Sequence, residues 1–125
     1  MIVVHSDELQ FIETPGGNSG SGLATPSRGA AEVSIIRQRQ QPGGANPAHT
    51  HDREEVMVLL VGTVTVNVAG EPHTLGPGDT VIVPPETSHQ VQNVGAEAAE
   101  RLLVAPAGVR FFHATGEEGS PPWSR

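Results

Sequence analysis

The chain has 125 residues, enough for one domain with a single core. Its net charge of -7 at pH 7 argues against a nucleic-acid partner, and its seven positive residues are all arginine, which excludes Schiff-base lysine chemistry and a Walker-type phosphate loop. With no cysteine, disulfides, thiol nucleophiles and cysteine-held metals are excluded, so any bound metal takes nitrogen and oxygen ligands.

Residues Met1 to Glu8 lack a basic stretch followed by an apolar one, and no apolar run approaches a membrane span. A cytoplasmic protein without a membrane partner is therefore expected. From Glu13 to Gly29, twelve of seventeen residues are Gly, Ser, Thr or Pro, a composition read as a flexible loop, either a solvated connector or a lid.

The remaining chain is cut by turn residues into runs of strand length: Glu32 to Gln41, Glu55 to Val61, Thr63 to Ala69, Thr80 to Val83, His89 to Val94 and Arg101 to Ala105. Gly62, Gly70 and Gly76-Pro77-Gly78-Asp79 mark the turns. The segment Glu97 to Leu103 favours helix by intrinsic propensity, but the strand pattern is expected to win after Ala99. In the strand Glu32 to Gln41, either Arg37 and Arg39 or Gln38 and Gln40 face the interior. The division that follows is one domain over 1–125, with a loop at 13–29, a barrel at 30–113 and a polar tail at 114–125, whose Trp123 packs on the barrel or on a second subunit.

His49 and His51 are two apart, so on extended backbone they share a face, and Glu55 continues the register. Gly43, His49, His51, Glu55 and Gly62 form the string G-x5-H-x-H-x3-E-x6-G. With fifteen residues intervening after Gly62, Gly78, Pro84, His89 and Asn93 match G-x5-P-x-G-x2-H-x3-N except that Glu86 replaces the middle glycine. These two motifs, spanning about two fifths of the chain, resemble those of the cupin superfamily.

That resemblance implies an all-β, double-stranded β-helix (jelly-roll) cupin barrel with His49, His51, Glu55 and His89 lining one end. Three imidazoles and a carboxylate suit one divalent transition metal, Mn, Fe, Ni, Co or Zn, and leave open positions on an octahedral ion. Glu55 either ligates or acts as the catalytic base. Asn93 reads as a turn residue, and His5, His73 and His113 lie outside both motifs.

The expected ligand is a small molecule with oxygen donors. A dioxygenase-like oxidoreductase, or an isomerase or lyase, competes with a non-catalytic sensing or storage module. A small jelly roll exposes sheet edges and an apolar outer face, which points to a homodimer.

Overall fold

The computed structural model describes all 125 residues and is almost wholly β. Twelve strands run in chain order: β1 (Ile12–Thr14), β2 (Asn18–Ala24), β3 (Val33–Gln40), β4 (His49–His51), β5 (Glu55–Val61), β6 (Val64–Val68), β7 (Glu71–Leu75), β8 (Thr80–Val83), β9 (His89–Asn93), β10 (Ala99–Pro106), β11 (Phe111–His113) and β12 (Glu118–Gly119). They form two six-stranded antiparallel sheets, ordered β1-β2-β3-β10-β5-β8 and β12-β11-β4-β9-β6-β7. The two sheets face each other as a jelly roll. No helix is long and apolar enough to cross a membrane.

Alternation along β5 explains the layering. Glu55, Met57 and Leu59 are buried, whereas Val56, Val58 and Leu60 are half-buried on the outer face. Met57 and Leu59 meet Val64, Val66, Leu75, Val91 and Ala99 in the core. The apolar filling thus occupies the middle of the sandwich and one end, leaving the other end to polar groups. Gly62 turns β5 into β6 at φ +89°, and a Cβ there would lie 3.0 Å from the Ala99 backbone.

The expected loop at 13–29 is corrected: its first residues end β1, and its middle is β2, paired with β3 from Asn18 to Ala24. Loop-like composition gave way there because small residues serve a packing purpose. A Cβ at Gly20 or Gly22 would lie 2.6 to 2.8 Å from Trp123. The sheets accordingly extend past 30–113 on both sides, and the tail contributes β12 and a turn at Pro122–Ser124 that closes on β2.

The conflict at Glu97 to Leu103 resolves as strand. β10 lies between β3 and β5 and hydrogen-bonds to both, so tertiary pairing overrides helical propensity. On β3 the buried face is Ser34, Ile36, Gln38 and Gln40, while Arg37 and Arg39 face outward, each 3.0 Å from Glu100 Oε1.

Glu86 adopts φ +60°. The left-handed turn is therefore kept without its glycine, and the Glu86 amide donates to the His51 carbonyl at 2.7 Å. An L residue in this region costs about 1–2 kcal/mol, partly offset by glycine's larger unfolded-state entropy. Glu86→Gly is expected to stabilise the fold by about 0.5–1 kcal/mol in urea denaturation; a loss of stability would contradict the strain.

Candidate metal centre

The site begins with one strand pair. β4 runs antiparallel to β9 so that His49 and His89 are direct cross-strand neighbours, and His51 lies two residues further along the same face. Ring centroids are 4.1 Å apart for His49 and His89, 5.0 Å for His49 and His51, and 5.2 Å for His51 and His89. One donor atom from each of the three falls within 4.8 Å of the others. Glu55 reaches the cluster from the opposite sheet: Oε2 lies 3.0 Å from His51 Nε2 and Oε1 3.6 Å from His89 Nε2. It does not belong to the mutually close donor set, so the structure groups three of the four expected residues tightly and sets the fourth against two of them.

Backbone carbonyls fix two of the rings. His49 Nδ1 donates to Pro47 O and His89 Nδ1 to Thr87 O, each at 2.9 Å. A carbonyl can only accept, so Nδ1 carries the proton and a neutral ring presents its Nε2 lone pair inward. Histidines that bind metals are commonly oriented in this way.

Burial of His49, reinforced by the neighbouring His89, lowers its pKa from the usual 6.5 to about 4. The ring is therefore neutral near pH 7. Burial pushes the Glu55 carboxyl up, but the adjacent His51 and His89 rings draw it down further when their facing nitrogens carry protons, and the net position in the metal-free protein is below the usual carboxylate range.

These groups fit a divalent ion. Both nitrogens of His51 and Nε2 of His89 are buried without a hydrogen-bond partner: the 3.0 Å approach of His51 to Glu55 is poorly aligned, and the 3.6 Å approach of His89 is too long. Such orphaned atoms are costly unless something else takes their lone pairs. Nitrogen with carboxylate oxygen suits a first-row ion.

A cavity of about 400 Å³ opens over the cluster. Phe111 on β11 forms part of its wall and stacks on His49 at 4.7 Å. Trp123 also lines it, so the tail forms part of the cavity wall as well as packing on the barrel.

Two wall residues, Phe111 and Arg101, escaped the sequence reading, while Gln38 belongs to one of the two pairs it offered. Phe111 lies in a strand too short to show a period. Gln38 and Arg101 face the cavity from adjacent strands, so the inward-pointing arginine is Arg101, in phase with Ala99 and Leu103, a register signal present in the sequence. Asn93 is structural: its amide donates to Gln40 O and Glu97 O, and its Oδ1 accepts from Gly95 N. His5, His73 and His113 take no part in the cluster.

The Cupin domain family matches residues 36–105 of this chain. Auxin-binding protein 1 of Arabidopsis thaliana is 36% identical over 86 residues, covering 61% of this chain and 43% of that protein. Germin-like protein 3-8 of Oryza sativa subsp. japonica is 40% identical over 81 residues, covering 60% and 36%. The chain thus spans less than half the length of these two relatives. Among solved structures, the polyketide cyclase RemF from Streptomyces resistomycificus superposes with a TM-score of 0.80 at 21% identity, over 98% of this chain and 90% of that one.

Proposed function

The chain belongs to the Cupin domain family, and on that premise we propose that His49, His51, Glu55 and His89 hold one divalent transition metal at the centre of an enzyme site. The reaction is of dioxygenase-like oxidoreductase or isomerase/lyase type, on a small molecule bearing oxygen donors. The observation that carries this reading is the set of buried, partnerless imidazole nitrogens beside a carboxylate, at the base of a cavity large enough for a small substrate.

When bound, the ion supplies Lewis acidity to a substrate oxygen. The chain's own residues do the rest. The Pro47 and Thr87 carbonyls keep His49 and His89 in the tautomer that leaves Nε2 free. Phe111 holds His49 by stacking and excludes water from one side. Glu55, ionised and held between two imidazoles, ligates or accepts a proton from the substrate. Solved structures of oxalate oxidase with glycolate and of a sugar phosphate isomerase share the fold, in keeping with either branch.

The second reading is a non-catalytic binding cupin. It is favoured by the similarity to auxin-binding protein 1, whose name describes binding alone. Turnover separates the two.

A homodimer is part of the same proposal. Ile35, Val104, Val56 and Ile82 are consecutive cross-strand partners over the outer face of the first sheet, and Ile82 is 64% exposed. A continuous apolar row of this kind suits a second copy. Light scattering is expected to give twice the 13.0 kDa chain mass and Ile82→Asp to return it to one chain; a monomeric parent protein would remove the dimer from the proposal.

Protein purified without added metal is expected to carry about one equivalent of a divalent ion by elemental analysis. His51→Ala should lower that content at least about tenfold while leaving the β spectrum by circular dichroism intact. Oxygen uptake on a panel of diketones, flavonols and thiols then tests the oxidative branch. Unchanged metal content in His51→Ala would overturn the ligand assignment.

A further inference from the structure

Arg101 lies in the wall of the cavity, 2% exposed, with one hydrogen bond: Nη1 donates to Gln40 Oε1 at 3.3 Å. Its Nε is buried without a partner, and no carboxylate of the chain forms an ion pair with it. Burial lowers its pKa to about 10, which leaves it protonated near neutral pH. A guanidinium has five N–H donors in a planar fork. Here a full charge sits in a cavity wall with most of those donors idle.

The register places this charge relative to the metal site. On the inner face, Gln38, Arg101 and Leu59 form one cross-strand row, and Ile36, Leu103 and Met57 form the next. Glu55 follows two residues beyond Met57, so about 13 Å of strand separates Leu59 from Glu55. The wall therefore runs from a cationic row, across an apolar row, to the metal ligands. The side-chain amide of Gln38, directly opposite Arg101, makes no hydrogen bond within the chain, so its Nε2 is free to donate to a bound acceptor.

We infer that Arg101, with the Gln38 amide, is the anchor for the carboxylate of an organic acid whose apolar body lies against Ile36, Met57 and Leu103. This rests on the metal-site reading and gives it a substrate class, an acid with a further oxygen donor directed at the ion. A carboxylate fits better than a phosphate. Arg101 is a single positive charge, the chain has no lysine to match a second negative one, and the Glu55 carboxylate already contributes a like charge nearby.

Trp123 lines the cavity and is the only tryptophan, so its fluorescence reports occupancy. Chelator-treated protein should bind benzoate at least about tenfold more tightly than benzamide or inorganic phosphate, and Arg101→Met should abolish that preference. Arg101→Met should also melt close to the parent, because relief from burying a guanidinium offsets the loss of its hydrogen bond to Gln40 Oε1. A structural arginine would give the reverse, a lower melting temperature with benzoate affinity unchanged, and that result overturns the inference.

If Arg101→Met fails to fold, Gln38→Leu decides. A loss of about threefold or more in benzoate affinity supports the anchor, and no loss refutes it. Metal loading should strengthen 4-hydroxybenzoate but not benzoate. Benzoate binding through Arg101 in a protein that takes up no metal would sink the metal reading alone, whereas metal uptake without benzoate binding would sink the anchor alone.

Discussion

The antiparallel pairing of His49 with His89 is the contact on which the rest of the molecule depends. It joins two segments forty residues apart, and with His51 on the same face it puts three imidazoles at one end of the barrel. Everything else in the site is arranged around that pair. β11 pairs with β4 on its other side and delivers Phe111 to the His49 ring. The turn before β9 returns an amide to the His51 carbonyl, tying the second motif to the first.

Burying these groups opposes folding unless their polar atoms are satisfied, and the chain satisfies them only in part. Carbonyl oxygens take the outer nitrogens of His49 and His89, while the inner nitrogens of His51 and His89 remain open. The same incompleteness recurs at Arg101 and Gln38 along the cavity wall. Elsewhere the accounting closes: Asn18 at the cavity edge and Gln40 and Asn93 beyond it bond one another and neighbouring backbone in a filled network. Unfilled polar capacity is thus concentrated where a ligand would be received, a pattern expected of a site shaped for binding.

Much of this was legible in the sequence, for identifiable reasons. Glu55 to Val61 and Thr80 to Val83 coincide with β5 and β8, since β-branched runs between glycine turns have few alternatives. β2 was illegible because its glycines exist to admit Trp123, and that contact spans about a hundred residues. β7, exposed apart from Leu75 and carrying Pro72, has no alternating apolar pattern to announce it but is tolerated at the edge of its sheet. Spacing announced the histidines. Arg101 was hidden in a segment of helical propensity, where only its phase with Ala99 and Leu103 marked it as inward.

X-ray absorption at the edge of whichever metal the protein carries tests the account most directly, because it reads the ligand shell atom by atom. Three imidazole nitrogens with at least one carboxylate oxygen, at ordinary first-row bond lengths of about 2.0–2.2 Å, is the shell predicted for His49, His51, His89 and Glu55. A shell with fewer than two imidazoles, or one unaltered when His89 is replaced by alanine, would contradict it.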